Sequence, residues 1–400
     1  MIKLGILGGG QLGRMLWEAS CKLSADLQAS PVYHDSVHCP AGVAGAEMVL
    51  GKISETAKLT EFFKHVESFA IENEFLDIAA IETSWQAARA AKPAAGLTWP
   101  IPSLEGLRIA QDKLEQKKFF IAQGFPTSPY QEITDRDLQT PHKLQELHQN
   151  WGGFVLKKAR MGYDGKGNLA VPPSGSALNF AAMKAFCDEA FQAHSRVYAE
   201  KFVAFTKEVA LVSCQSCGGD FGHYPLIETV QKNGVCYLAF KALGEEKNQK
   251  RAVEIARAVA EKLKLLGTFA VEFFITGQGE LWVNEMAPRV HNSGHFTQKA
   301  AHSSQFEMHL KAYWQKRWDL QDFVCAPAFA MVNLLGPEGV RGAVTRPQEP
   351  LIYWYDKEST SPGRKLGHMI EQSDSEKDLM NLLEDLKKRE KIWQESLKSP

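Results

Sequence analysis

The chain has 400 residues, enough for two or three domains at roughly 100–200 residues each. Hydrophobic residues make up 44% and charged residues 23%, and 46 basic side chains nearly balance 47 acidic ones for a net charge of -1. Such a balance suits a globular protein and excludes a general nucleic-acid binder, which needs a net basic face; any anionic ligand must be held by local clusters.

The seven cysteines, Cys21, Cys39, Cys187, Cys214, Cys217, Cys236 and Cys325, are odd in number and irregular in spacing, so no disulfide framework is expected. Cys214 and Cys217 form a CxxC, but no second pair or nearby histidine completes a zinc set, and ordinary buried thiols are the plainer reading. The opening MIKLGILGGG is too short an apolar run for a secretory signal. The longest apolar stretch, residues 265–275, falls far short of the ~20 residues of a spanning helix. The expectation is a cytoplasmic protein with neither membrane nor nucleic acid as partner.

In chain order, residues 2–7 read as a strand running into Gly8, Gly9 and Gly10, then a helix over 11–22. Strands at 31–35 and 68–71 and helices at 59–65 and 78–91 continue an alternation that marks a parallel, doubly wound sheet. Three prolines in 93–102 suggest a boundary. A single helix is predicted over 104–123, ended by Gly124 and Pro126. Strands follow at 154–158, 197–201, 208–213, 234–240, 269–275 and 281–284, with helices at 177–193, 246–265 and 303–316. Segments 327–335, 351–355 and 367–371 suggest a small terminal β unit, and 376–397 a charged, solvated helix.

Several motifs carry chemistry. Gly8-x-Gly10-x-x-Gly13 joins a strand to a helix, where backbone can approach a phosphate or sugar. A dinucleotide site would also need an acid at the end of the second strand, and Asp35 sits there; a ligand-free tight turn competes. Residues 160–168, with Gly162, Gly165 and Gly167 among Arg160, Lys166 and Asn168, describe a loop that can fold over phosphates. It lacks the GK[ST] ending of a P-loop, and a plain glycine hairpin is the alternative.

In 269–285, two apolar strands joined by a glycine turn form a hairpin, each strand carrying one carboxylate, Glu272 and Glu285. Two acids brought face to face in an apolar setting repel, so a cation between them is the natural answer, and with Asn284 alongside the donors are hard oxygens suited to magnesium. Just beyond, Arg289, His291, Asn292, Ser293 and His295 supply a dense set of donors for an oxyanion. Lys357, Arg364 and Lys365 form a basic cluster that suits an anionic group on a substrate, with a solvated charge run as the competing reading.

Together these motifs resemble the ATP-grasp superfamily and, within it, the N5-carboxyaminoimidazole ribonucleotide synthases. GILGGGQLGRM at the N-terminus, AVEFF, VNEMAPRVHNSGH, SQFEMHL and YDKESTSPGRKLGH carry the resemblance, which covers nearly the whole chain. It implies an α/β chain with a Rossmann-like N-terminal domain (1–100), an ATP-grasp domain in two lobes (101–194 and 195–318) and a small β-rich C-terminal domain (319–400). The implied chemistry is phosphorylation of bicarbonate by Mg-ATP and capture of the carboxyl group by the amine of 5-aminoimidazole ribonucleotide. A homodimer is implied as well.

Carried over by position, the resemblance implies ATP contacts from Lys157, from the loop Gly162, Tyr163, Asp164, Gly165, Lys166, Gly167 and Asn168, and from a hinge Glu200, Lys201, Phe202 and Val203. Glu208 is implied at the ribose, Gln231 stands where a nucleotide-contacting histidine is common, and either Arg108 or Lys113 reaches ATP. Glu272 and Glu285 match magnesium ligands, with Asn284 beside them; Arg289, His291 and Asn292 match residues near bicarbonate. Tyr163, Asp164, Gly10, Gln11, Leu12, Glu74, Lys357, Arg364 and Lys365 match the imidazole ribonucleotide site. Met161 replaces a usual glycine of the loop, and Lys166 and Lys113 stand where arginine is common. Three alternatives stay open: a formate-using glycinamide ribonucleotide transformylase of the same superfamily, a nicotinamide dehydrogenase built on Gly8 to Gly13, and a catalytically dead nucleotide-binding sensor, against which the metal carboxylates argue.

Overall fold

Strand Ile2–Leu7 lies inside a parallel sheet, between Leu27–His34 and Ser68–Ile71, with Met48–Leu50 on the outer side of Leu27–His34. The computed structural model describes residues 2–23, 27–34, 36–91, 100–139, 142–160, 167–172, 178–347 and 349–397. Helices Gln11–Lys22 and Ile78–Ala91 fall where the periodicity predicts them. Asp35, which the dinucleotide reading requires, lies outside the described residues, as does most of the proline-rich boundary.

The single helix predicted over 104–123 is two, Leu104–Ala110 and Lys113–Ala122. Asp112 ends one and starts the other. Its carboxylate accepts the amides of Leu114 (3.1 Å) and Glu115 (3.2 Å), an N-cap that competes with continuing the helix. Arg160 (3.1 Å) and Arg196 (2.9 Å) hold the same carboxylate from outside.

An antiparallel sheet of four strands follows in the order Tyr130–Ile133, Val197–Lys201, Phe154–Lys158, Asn168–Val171. Its outer strands had no predicted counterpart; both are short and mostly half-exposed, so they lack the alternation that marks a strand. The largest sheet is antiparallel and runs Leu281–Ala287, Gly267–Thr276, Phe205–Gln215, Ile227–Lys232, Val235–Lys241, Ala328–Leu335, Lys365–Ser373, Ile352–Trp354. The C-terminal strands form the β-rich region that the sequence suggests, and this region is continuous with the large sheet. Ala328–Leu335 pairs directly with Val235–Lys241 and extends the same sheet.

Strand alternation decides what each face of that sheet does. Val209, Leu211, Val271, Phe273 and Ile275 pack under helix Glu246–Leu263, which presents Ala252, Ile255, Ala256, Val259 and Leu263 at helical spacing. The opposite face carries Ala210, Val212 and Ala270, and farther along the same strands Glu208 and Glu272 open into a cavity. The terminal helix Leu379–Ser396 is not solvated as predicted. Leu379, Leu383, Leu386 and Trp393 recur at steps of four, three and seven residues, one face of the helix, and pack on Ala328, Ala330, Val332 and Leu334. Burying each such leucine contributes roughly 1.5–3 kcal/mol, enough to dock a helix whose other positions are charged. Among the described residues no helix is long and apolar enough to cross a membrane.

Candidate active site

A cavity of about 1160 Å³ opens where the three sheets meet. The N-terminal sheet contributes Gly10, Gln11, Leu12 and Glu74, and the small sheet Lys157 and Asn168. Glu208, Gln231, Glu272, Asn284 and Glu285 come from the large sheet, followed by Arg289, His291 and Asn292. Lys113 enters from its helix, and Lys357, Arg364 and Lys365 from the C-terminal segment. Residues separated by up to 384 positions, Gly10 and Gln394, thus line one cavity.

The hairpin places Glu272 and Glu285 opposite each other in register. A bulge follows, because Phe273 pairs with Val283 and leaves Asn284 unmatched. The extra residue breaks the alternation, so Asn284 and Glu285 both reach the cavity although they are neighbours in sequence. Burial, reinforced by the charges of Glu285 and Glu208, pushes the Glu272 carboxyl up to about 8. Burial acts the same way on Glu285, but contact with the Lys113 ammonium outweighs it and holds that carboxyl below its ordinary range. The two carboxylates keep 25% and 35% side-chain exposure, and both line the cavity. This is a wall with excess negative charge, partly offset by Lys113, and a divalent cation would offset it further.

Behind the hairpin, His291 Nε2 stands 3.4 Å from Glu272 Oε1 while Nδ1 meets Ser293 Oγ at 2.8 Å. Burial first, then the charges of Arg289 and Lys365, push the imidazole down to about 3, so it is neutral at pH 7. Gln305 was not singled out from the sequence, yet it clamps this histidine: its Oε1 accepts the His291 amide (2.9 Å) and its Nε2 donates to the His291 carbonyl (2.7 Å). Arg289 and Glu74, expected at different substrates, meet as a two-point ion pair of 2.5 and 3.0 Å. Asn292 exchanges amide hydrogen bonds of 3.0 and 2.7 Å with Asn333, whose Nδ2 also donates to the Cys236 carbonyl at 3.0 Å. Asn333 was missed because it sits inside a fully buried strand, where apolar neighbours hide it.

Other predicted residues lie off this wall. Arg108 does not line the cavity, although Ala110 of the same helix does; it is exposed and pairs with Glu82 at 2.6 Å. Lys113, at the start of the next helix, is the residue that reaches the wall. Glu200 is not on the wall either, since its buried carboxylate is held by Lys117 and Lys157. Lys201, Phe202 and Val203 continue from that strand end without lining the cavity. Gly167 accepts the Lys158 amide through its carbonyl at 2.9 Å, also off the wall. Gly162, Tyr163, Asp164, Gly165 and Lys166 lie outside the described residues. Glu208 and Gln231 are hydrogen-bonded; burial raises the Glu208 carboxyl and the Gln231 amide partly offsets this.

The glycine turn is occupied from within. Glu72, another residue the sequence reading passed over, accepts the amides of Gly10 (2.9 Å) and Gly13 (2.7 Å). A β-carbon at Gly10 would lie 2.5 Å from Glu72 Oε1, and one at Gly13 would lie 2.2 Å from the Gly8 carbonyl. Two of the amides a pyrophosphate would need are therefore bonded to an internal carboxylate, which argues against the nicotinamide reading. The turn still presents Gly10, Gln11 and Leu12 to the cavity, and Arg14 ties its helix to Asp356, next to Lys357. Burial and the neighbouring Arg364 lower the Lys357 ammonium, with Glu72 acting against them. Arg364 donates to the Ser359 carbonyl (3.0 Å) and hydroxyl (2.7 Å). Cys214 and Cys217 donate to the carbonyls of Met308 (3.4 Å) and Gln315 (3.2 Å), the roles of ordinary packed thiols.

Comparison with known proteins agrees with this geometry. Residues 1–98 match the ribonucleotide synthetase preATP-grasp domain, 118–306 the ATP-grasp domain, and 330–381 the phosphoribosylaminoimidazole carboxylase C-terminal domain. The chain is 32% identical over 380 residues to the N5-carboxyaminoimidazole ribonucleotide synthase of Synechococcus elongatus, covering 92% of this chain and 88% of that one. It is 31% identical over 382 residues to the chloroplastic phosphoribosylaminoimidazole carboxylase of Vigna aconitifolia, spanning 63% of that relative's length. The structure of N5-carboxyaminoimidazole synthase from Aspergillus clavatus in complex with ADP and 5-aminoimidazole ribonucleotide is similar, with a TM-score of 0.78 and 26% identity over 98% of this chain and 99% of that one. With the family's domains matched in order and a relative of this identity covered almost end to end, the chain belongs to the N5-carboxyaminoimidazole ribonucleotide synthase family of ATP-grasp enzymes.

Proposed function

We propose that this chain carboxylates 5-aminoimidazole ribonucleotide at the expense of ATP. Bicarbonate takes the γ-phosphoryl group and ADP leaves. The substrate amine then attacks the carboxyl carbon of carboxyphosphate, or carbon dioxide released from it. Phosphate departs, the amine loses a proton, and N5-carboxyaminoimidazole ribonucleotide forms, a step of purine biosynthesis. The observation that carries this reading is the cavity that combines the Glu272/Glu285 hairpin with the Lys357/Arg364 cluster, a cation-binding wall and an anion-binding cluster in one enclosure.

Lys157 and Lys113 face the cavity as cations for the nucleotide phosphates, and Glu208 is placed to accept ribose hydroxyls. Glu272, Glu285 and Asn284 fit magnesium, which takes one or two carboxylates and fills its remaining positions with phosphate oxygens and water. That ion would neutralise charge building up on the transferred phosphoryl group. His291, neutral and clamped by Gln305, offers a fixed hydrogen-bonding ring nitrogen near bicarbonate, and Lys357, Arg364 and Lys365 supply the charge for the substrate's own phosphate. Arg289 becomes available to an oxyanion when its pairing with Glu74 opens. Domains at 1–100, 101–318 and 319–400, a cytoplasmic setting and a homodimer complete the proposal; the matched family segments support the first, and resemblance the others.

Glu285→Gln tests the site. The change keeps the shape and removes a ligand charge, so turnover should fall by about 10²-fold or more while the melting temperature stays near that of the parent. Near-normal turnover at saturating magnesium would remove Glu285 from the metal site.

A further inference from the structure

Among the described residues Lys117 is the one lysine that is fully buried, with 2% exposure, and it does not line the cavity. Its three ammonium protons are all used, on Thr127 Oγ1, Ser128 Oγ and Glu200 Oε1, each at 2.8 Å. Glu200, 3% exposed, also accepts the Ser128 hydroxyl on Oε1, and its Oε2 meets Lys157 Nζ at 2.7 Å. Lys157 is the member of this group that reaches the cavity. Burying a lysine is costly unless its charge is needed, and here a hydroxyl pair and one carboxylate hold it in place.

Charge counting gives the reason. Lys157 and Glu200 alone would cancel, and a neutral pair is a poor receptor for phosphate. With Lys117 on the far oxygen the group carries a net charge of about +1, and that charge emerges at Lys157. Glu200 thereby fixes the position of Lys157 without silencing it.

We propose that Lys117 is a positioning residue for nucleotide binding: it neutralises Glu200 from behind and leaves Lys157 with net positive charge for the phosphates of a nucleoside triphosphate. This rests on the reading of Lys157 as a phosphate-binding lysine. The effect is specific to nucleotide. Lys117 touches none of the residues at the Lys357/Arg364 cluster, so affinity for the ribonucleotide should not move with it.

The test is calorimetric titration of Mg-ATP into the full-length protein and its variants, with thermal melting to confirm folding. Lys117→Met should weaken ATP binding about tenfold or more. Adding Glu200→Gln to it removes the unbalanced charge and should restore affinity to within about threefold of the parent. Lys117→Gln, which keeps a hydrogen-bond donor for Glu200 without the charge, should weaken ATP binding as Lys117→Met does, which decides the matter if Lys117→Met does not fold. A double variant as weak as Lys117→Met, or a folded Lys117→Met or Lys117→Gln protein that binds ATP normally, would overturn the proposal. Lys157→Ala separates the two levels: normal ATP binding there would refute the reading of Lys157 itself, whereas a loss there with normal Lys117→Met refutes only the role of Lys117.

Discussion

At the scale of single residues, the site works through polar side chains that touch no ligand. Asn333 shows this best. It is the one polar residue of Ala328–Leu335, wholly buried, on the face shared with Phe329 and Met331. Its amide bonds both ways with Asn292 and once with the Cys236 carbonyl, so it fixes how Asn292 meets the cavity. Asn333→Leu fits a hydrophobic strand but strands those partners, at a cost of roughly 1–3 kcal/mol. The account expects a 10–100-fold loss, to order of magnitude, in kcat/KM for bicarbonate with ATP affinity little changed. Unchanged kcat/KM in a folded but destabilised variant would reduce Asn333 to packing. The chemistry-bearing types at Glu272, Glu285, Arg289 and Lys357 could be read from the sequence because each stands out from its neighbours or clusters with its kind. Asn333, Gln305, Glu72 and Lys117 could not, since their meaning lies in a partner 14 to 83 positions away.

At the scale of elements, regular periodicity was legible and its interruptions were not. Strands Ile2–Leu7, Ser68–Ile71, Phe154–Lys158 and Val197–Lys201 and helices Gln11–Lys22 and Ile78–Ala91 lie where hydrophobic spacing puts them. The bulge at Asn284, the break at Asp112 and the terminal helix's apolar stripe each depend on one hydrogen bond or packing partner beating local preference. The glycine turn is a similar case. The strand–turn–helix pattern predicts an anion at the helix N-terminus, and the anion is the chain's own Glu72. Glu72→Gln should therefore lower stability by about 1–2 kcal/mol without altering ATP affinity, measured by urea unfolding and titration. A variant of unchanged stability would show that this carboxylate does not cap the helix.

At the scale of the whole molecule, the fold gathers several imidazoles into its interior. Burial pushes His368 down to about 3 and His309 to about 4, burial and nearby charges hold His291 at about 3, and His295 lies well below its usual range. These groups are neutral when folded and titrate near 6.5 when unfolded. The unfolded chain thus binds more protons below about pH 6.5, and stability should fall steadily as pH drops from there toward 4. Glu272, raised to about 8, has the opposite sign and offsets one histidine's share above about pH 4.5. Urea midpoints across that range should show the loss. His309→Asn, at a site away from the cavity where Nδ1 accepts the Thr268 amide at 2.9 Å, should make the slope shallower. An unchanged slope would contradict the assignment.

The large sheet also explains why one cavity draws on the N-terminus, the centre and the C-terminus. Continuous pairing through Ala328–Leu335 carries Lys365 on the same sheet as Glu272. The central claim is that this enclosure couples ATP cleavage to carboxylation of a phosphorylated amine. ADP formation by the purified protein, measured with bicarbonate in the presence and absence of 5-aminoimidazole ribonucleotide, tests it most directly. The account predicts that ADP release depends on the ribonucleotide and matches the carboxylated product formed. ADP release indifferent to the ribonucleotide, or supported equally by formate in place of bicarbonate, would contradict it.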